Sequence, residues 1–379
     1  MESKANQRLS TNGPGRRRPS WLLPTPARRD EPETKSLVRE LLVRLMRGED
    51  LPRLDAAMLF GAAMDEHATD AQIGAALVAL AVKGETVEEL TGMAEAMRAR
   101  AIKIKCRHPR FIDTAGTGSS NAKTFNVSTA AAFVCAGAGL PVAKHGSGAA
   151  TSLSGSADVL AELGVNVQMD ARDSEQCLNE EGICFLFAPL YHHATARVAG
   201  IRRQLGVHTT FNLLGPLTNP AGAPRQIIGV WHESLLEPLA HTLIALGTQH
   251  AWVVHGTDGL DEVTTSAPTL VAEACDGRVR TFTICAEDFG LRSCNTLAEL
   301  RGGNARANAE LIRAIFRGEP GSRIDAARDL IIANAASALF VGGLENDFRN
   351  AAERASESVR SGAALEKLEI LCNRTREPR

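Results

Sequence analysis

The 379-residue chain is 44% hydrophobic and 23% charged, with 4% aromatic residues and a formal net charge of −2. This is the composition of an ordinary soluble globular protein with an aliphatic core; it offers no global basic excess for nucleic acid, although a local patch stays open. No apolar run approaches the roughly 18 or more residues of a membrane span, no apolar N-terminal stretch marks a signal peptide, and the eight scattered cysteines form no CxxC pair, so free thiols in a reducing cytoplasm are expected rather than disulfides or zinc.

Residues 1–35, with "NGPGRRRP" and "PTPARRDEPETK", read as a disordered N-terminal extension, too polar and proline-rich to offset its ordering entropy. From Ser36 to about residue 103 the pattern is helical. Leu37, Leu41, Leu42 and Leu45 share one face. Thr69–Gln72 and Thr86–Glu89 have capping-box spacing, and Gly84 is a C-terminal stop. Three or four short helices forming a small helical domain are predicted. At "RFIDTAGTGSS" the texture changes. "PVAKHG", "QIIGVWH" and "HAWVVHG" read as buried strands; "TFNVSTAAAFVCAGAGL" and "LLEPLAHTLIALG" read as helices. Strands alternating with helices predict an α/β domain with a mainly parallel sheet flanked by helices. "VRTFTICAEDF" is a later strand, and the segment from Asn308 to Gly343 is helical, broken at Gly-Glu-Pro-Gly.

Chemistry concentrates in four places. In "DTAGTGSSNAKTFNVSTAAAF", Gly116 and Gly118 follow a strand, and Asn126, Ser128 and Thr129 fall at a helix start. Glycines admit a close backbone approach and helix-start N–H groups favour anions, so a phosphate or pyrophosphate cradle is one reading; a plain glycine turn with a Ser/Thr cap is the other. Lys144 and His145 end "PVAKHG", and ligands of open α/β sheets lie beyond strand carboxyl ends. Lys144 is either a point charge for phosphate or a solvated strand end, and His145 either a ligand contact or a structural histidine. Asp261 and Glu262 follow "AWVVHG" and suit Mg²⁺, or form a charged turn. Arg202 and Arg203 lie on a helix, where one can pair with a carboxylate or simply face solvent.

"GTGSSNAKTFNVSTA", "KHGSGAATSLSGSADVLAELG", "GVHTTFNLLGPLTNP", "GLDEVTTSAPT" and "AEDFGL" occur here in this order. Over roughly residues 36–345 the chain thereby resembles the anthranilate phosphoribosyltransferase family. The resemblance implies a homodimer joined through small helical domains. It also implies that part of 170–203 joins the 36–103 unit, leaving 104–169 and 204–379 as the large α/β domain. The implied reaction is Mg²⁺-dependent transfer of phosphoribose from phosphoribosyl pyrophosphate (PRPP) to anthranilate, an early step of tryptophan biosynthesis. By resemblance, Gly116, Thr117, Gly118, Asn126, Ser128, Thr129 and Lys144 contact PRPP. Ser128, Asp261 and Glu262 hold Mg²⁺. Ser147 and Ser156 belong to the substrate loop, Arg202 meets the acceptor carboxylate, and His145 lines the acceptor tunnel. Lys144, His145 and Arg202 are the residues expected to carry catalysis.

The chain departs from the family at several of these positions. The usual Asn-Arg after Lys-His-Gly is Ser147-Gly148, the usual Gly-Gly-Asp is represented by Ser119-Ser120 after Gly118, and an arginine before "TxFN" is His208. Losing one charge-assisted hydrogen bond costs roughly 1.5–3 kcal/mol, or about 10- to 150-fold in affinity. Arg202 keeps a carboxylate-bearing acceptor in view, and the smaller rim also admits a substituted aminobenzoate. A silent relative binding nucleic acid through its basic tail is the remaining alternative, disfavoured by the near-neutral charge.

Overall fold

Helices α1 (Glu33–Met46), α2 (Arg53–Met64), α3 (Asp70–Lys83) and α4 (Val87–Arg100) come first. The computed structural model describes residues 33–118, 122–149, 153–293 and 300–376; the expectations for residues 1–32, Ser119, Ser120 and Cys294 lie outside these. Because α1 opens at Glu33, the last residues assigned to the N-terminal extension are helical, a boundary shift of the size that helix ends commonly show. Both capping boxes form. Thr69 Oγ1 accepts from Gln72 N while Gln72 Oε1 accepts from Thr69 N at 2.8 Å, and Thr86 and Glu89 exchange the same pair of bonds. Each such cap stabilises its helix by about 0.5–2 kcal/mol. Glu89 does more: its buried carboxylate also accepts from Leu51 N at 2.9 Å and Lys83 Nζ at 2.8 Å, tying three helix ends together. Gly84, at φ 82°, ends α3 as its sequence predicts.

The chain continues through β1 (Ile112–Gly116), α5 (Val127–Gly137), β2 (Val142–Gly146), α6 (Ser156–Glu162), α7 (Ala171–Glu181), β3 (Ile183–Phe187), α8 (Ala188–Tyr191), α9 (Ala196–Leu205) and α10 (Thr210–Leu214). It then forms β4 (Arg225–Gly229), α11 (Leu236–Ala245), β5 (His250–Gly256), β6 (Thr269–Cys275), β7 (Arg278–Ile284), α12 (Ala305–Phe316), α13 (Ser322–Val341), α14 (Phe348–Arg360) and α15 (Ala363–Arg376). The strands make one 7-stranded sheet in the order β3-β2-β1-β4-β5-β6-β7. Pairings from β3 to β5 are parallel; β5–β6 and β6–β7 are antiparallel, so a hairpin margin is added to the expected parallel sheet.

Side chains alternate across the sheet. Ile227, Trp252 and Val254 face a core built with α5, α13 and α15, whereas Ile228, Ala251 and Val253 face one shared with α11 and the N-terminal helices. Val198 and Ile201 of α9 and Phe211 and Leu214 of α10 enter that second core, while α7 and β3 pack with α15. Within 170–203 it is therefore the C-terminal portion that meets the helical bundle, and the chain stays there through Leu217 before returning to the sheet at β4. The strand order reverses between β1 and β4. That switch point opens a crevice at the strand carboxyl ends, where open α/β sheets bind ligands.

Candidate active site

Every residue expected to touch substrate or metal lines one cleft of about 420 Å³ beyond the ends of β1, β2 and β5. Gly116 closes β1, and Gly118, at φ 66°, takes the left-handed turn that favours glycine. Thr117 N–H and Oγ1 both donate to Gly229 O at the end of β4, at 2.9 and 3.2 Å. A Cβ on Gly229 would collide with the Asp261 backbone. The loop after β5 is thus pressed against the switch point by the absence of a side chain.

That loop carries Asp261 and Glu262. Glu262 Oε1 accepts from Ser128 N at 3.1 Å, so one helix-start N–H of α5 is already taken by a carboxyl oxygen of the chain's own. Burial and the adjacent Asp261 carboxylate push the Glu262 carboxyl up, with Lys144 opposing; Asp261 is pushed up chiefly by burial. Two half-buried carboxylates, both pushed up in pKa, beside a serine hydroxyl form an oxygen donor set suited to a hard divalent cation. Among the described residues no group of three or more His, Cys, Asp or Glu side chains is placed to hold a metal ion, so Asp261 and Glu262 would need the Ser128 hydroxyl and ligand oxygens to complete a set. Behind the pair, Asn334 of α13 clasps the loop: its Oδ1 accepts from Val263 N at 2.9 Å and its Nδ2 donates to Val263 O at 2.8 Å.

Lys144 is no solvated strand end. Its side chain is buried, and Nζ donates to Thr114 O on β1. Burial lowers its pKa while Asp113 and Glu262 hold it up, so its charge acts on Glu262 from within the sheet. Asp113, on β1, is raised to about 6 by burial. It accepts from His145 N at 3.1 Å and Asn219 Nδ2 at 2.7 Å, fixing the segment that presents both Lys144 and His145.

The His145 ring lies against His192, centroids 5.2 Å apart. His145 Nε2 and both His192 nitrogens lack a well-formed hydrogen bond; the backbone of Gly215 and of Thr218 opposes the downward shift of His145 and His192 respectively. Burial pushes His145 down to about 3 and His192 down to about 4, and both imidazoles are neutral.

Asn126 caps α5 without a side-chain capping bond. Its amide instead donates to Ser154 O at 3.2 Å and accepts from Asn308 Nδ2 at 3.0 Å, stitching the glycine turn to the second loop and to α12. In that loop Ser147 O accepts from Ser156 Oγ and Ala157 N, each at 3.2 Å. Asp158 accepts from Ala149 N and Gly155 N at 2.8 Å. A Cβ at Gly155 would strike the Gly148–Ala149 backbone. Thr129 is buried one residue along α5 from Ser128.

On the opposite wall, α9 presents Arg202. Its Nη2 donates to Asn212 Oδ1 at 3.3 Å and its guanidinium lies 5.2 Å from the Phe211 centroid. Burial lowers its pKa. Among the described residues no carboxylate makes an ion pair with Arg202, whereas its cleft position supplies the opening for one from a ligand. His208, at the family's arginine position, is exposed and packs on Trp231, centroids 5.2 Å apart.

Residues 108–365 match the family described as "Glycosyl transferase family, a/b domain", and residues 39–101 match its helical bundle domain. The anthranilate phosphoribosyltransferase of Anaeromyxobacter dehalogenans (strain 2CP-C) is 49% identical over 90% of this chain and all of its own. The chain is an enzyme of the anthranilate phosphoribosyltransferase family. The crystal structure of the family member from Thermus thermophilus superposes with a TM-score of 0.83 at 34% identity, covering 89% of this chain and 99% of that one. The Saccharomyces cerevisiae member, in complex with PRPP and Mg, gives a TM-score of 0.74 at 27% identity, covering 90% of this chain and 93% of that one. Family membership is as the motifs predicted. Asp113, His192, Asn219, Asn308 and Asn334 were not anticipated as parts of the site; the one sequence signal was a carboxylate inside the apolar strand "FIDTAG".

Proposed function

We propose that this cleft binds PRPP with Mg²⁺ and transfers its phosphoribosyl group to the amine of anthranilate, releasing pyrophosphate and N-(5-phosphoribosyl)anthranilate. The observation that carries the reading is the Arg202 guanidinium, without a carboxylate partner among the described residues, lining the same cleft as the Gly116–Gly118 turn and the Asp261–Glu262 carboxylates. In the reaction the C1–O bond to pyrophosphate breaks and the amine nitrogen bonds C1. The ammonium proton formed passes to solvent or to the leaving group. An arylamine is neutral near pH 7 and attacks without a strong base, so orientation is the main task of the acceptor wall. Arg202 holds the acceptor carboxylate, and the neutral His145–His192 pair packs against its ring without adding a competing cation. The glycine turn, with no side chain at Gly116 or Gly118, lets the diphosphate approach the backbone closely. Ser128, Asp261 and Glu262 would hold Mg²⁺, which offsets the charge developing on the leaving group. Lys144 balances these carboxylates from behind.

The division into residues 36–103 with part of 170–203, and 104–169 with 204–379, belongs to the same proposal, as does a homodimer formed through the helical bundles. A cytoplasmic location is supported by the described cysteines, all of them free thiols; among the described residues no helix is long and apolar enough to cross a membrane. The test is a steady-state assay with PRPP, Mg²⁺ and anthranilate, following loss of anthranilate fluorescence, with Glu262→Ala as control. Turnover that is lost in the variant supports the reading. Absent turnover with PRPP binding intact overturns anthranilate as acceptor. It favours instead a substituted aminobenzoate, the reading to which the small rim of Ser147 and Gly148 points.

A further inference from the structure

The guanidinium of Arg202 is held by two neighbours in one short element. Phe211 lies beneath it and Asn212 accepts from it, and both belong to α10. A helix as short as α10 has too few internal hydrogen bonds to hold its own conformation. Its orientation must come from outside, and two contacts supply it from the helical bundle. The Phe211 ring packs on Phe60 of α2, centroids 4.8 Å apart. The hydroxyl of Thr210 donates to the carboxylate of Glu85, in the link between α3 and α4.

Glu85 does not line the cleft, yet its side chain is buried, as is that of Thr210. Burial pushes the Glu85 carboxyl up in pKa and the Thr210 hydrogen bond opposes that rise. A carboxylate in such a place is costly unless a hydrogen bond satisfies it. Three consecutive residues therefore divide the work: Thr210 grips the bundle, and Phe211 and Asn212 grip the arginine.

We propose that Glu85 and Thr210 form a positioning pair that sets the orientation of Arg202 toward the acceptor, an inference that rests on Arg202 meeting the acceptor carboxylate. Loss of the pair frees α10 to shift against α9. Arg202 then samples rotamers that miss the acceptor, while the PRPP wall, built from β1, β2 and the loop after β5, is untouched.

The experiment measures KM for anthranilate and for PRPP separately, with melting temperatures, on the full chain and on Thr210→Val, Thr210→Ser, Glu85→Ala, Glu85→Gln and Arg202→Ala. Thr210→Val keeps the shape and removes the donor. It is expected to raise the anthranilate KM by roughly 5- to 30-fold, with the PRPP KM within about twofold of the parent. Glu85→Ala is expected to do the same, while Thr210→Ser and Glu85→Gln, which keep a donor and an acceptor, stay near the parent. If Glu85→Ala fails to fold, the Thr210→Val and Thr210→Ser pair decides alone. Equal rises in both KM values, or identical behaviour of Thr210→Ser and Thr210→Val, would reduce the pair to general scaffolding and overturn the inference. An anthranilate KM unmoved by Thr210→Val but raised by Arg202→Ala overturns it as well, leaving the acceptor assignment standing. An anthranilate KM unmoved by Arg202→Ala overturns that assignment first, and the inference with it.

Discussion

The Glu262 carboxylate accepts a hydrogen bond from the backbone N–H of Ser128, joining the loop after β5 to the start of α5 at 3.1 Å. Two of the proposed Mg²⁺ ligands are therefore already in contact, and Lys144 stands behind them. Glu262→Ala removes a charge and an acceptor together. The Mg²⁺ concentration for half-maximal PRPP consumption is expected to rise by about 10- to 150-fold, the equivalent of one hydrogen bond to a charged group. A Mg²⁺ titration of the variant checks it, and an unchanged midpoint would remove Glu262 from the metal site.

Asn334 acts on the same loop from α13. Asn334→Ala strands the N–H and C=O of Val263, and a buried unsatisfied polar group costs about 1–3 kcal/mol. Urea unfolding should show a loss in that range or somewhat above it, and the Mg²⁺ midpoint should rise as the Asp261–Glu262 loop loosens. Stability lost with an unmoved midpoint would mean that the loop is held well enough from the β4 side.

The two glycines of the substrate loop should differ sharply. A Cβ on Gly148 would sit 3.5 Å from Asp158 Oδ1, an ordinary contact, and the backbone there is not left-handed. A Cβ on Gly155 would strike the backbone of the same loop. Gly148→Ala should leave kcat/KM for PRPP within about twofold, while Gly155→Ala should lower it by tenfold or more, a forced backbone shift costing about 1–3 kcal/mol. The double variant Ser147→Asn, Gly148→Arg, which restores the usual family residues, is expected to lower the anthranilate KM. A higher KM would point to an acceptor site built for a different aminobenzoate.

The histidine pair makes a pH prediction. An unfolded histidine titrates near 6.5, while His145 and His192 are held down to about 3 and about 4. Below pH 6.5 the unfolded chain takes up protons that the native state refuses. Their contribution to stability is full above that pH and is lost as pH falls toward 4 and then 3. Asp113, raised to about 6, works in the opposite direction between about 4 and 6. His192→Asn should therefore lose less stability between pH 7 and pH 5 than the parent does, by about 2 kcal/mol. Denaturant curves at the two pH values measure it, and parallel losses would show that His192 titrates normally.

The sequence made visible those parts whose signal is local. Thr86 and Glu89 sit at capping-box spacing, and both bonds form. Lys144 and Asp261 follow apolar runs, and both runs are strands with their ends at the cleft. β3 and β6 were not read as strands. "ICFLF" follows the helix-ending Gly182 but is a short unbroken apolar run that a buried helix segment would match equally, and "TLVAEAC" alternates only weakly. Polar residues that act through partners far along the chain also escaped. Asn219 looks like a turn residue until Asp113 is seen to receive its amide proton, and Asn334 looks like a helix-surface residue until Val263 is found against it. The burial of Lys144 is a matter of direction: a lysine at a strand end reads equally as a point charge for phosphate or as solvated, and only the carbonyl of Thr114 shows that it turns inward.

β7 forms one margin of the sheet. A strand with one free edge is a ready template for pairing with another chain, and charge along it discourages that pairing. β7 exposes Arg278, Arg280, Thr281 and Thr283. Arg280 pairs with the Glu273 carboxylate of β6 and Arg278 adds a further charge at the strand's start, so this polar margin resists strand-to-strand aggregation when the protein is concentrated. Replacing both arginines with valine would turn a silent border into an adhesive one without touching the chemistry at the other end of the sheet.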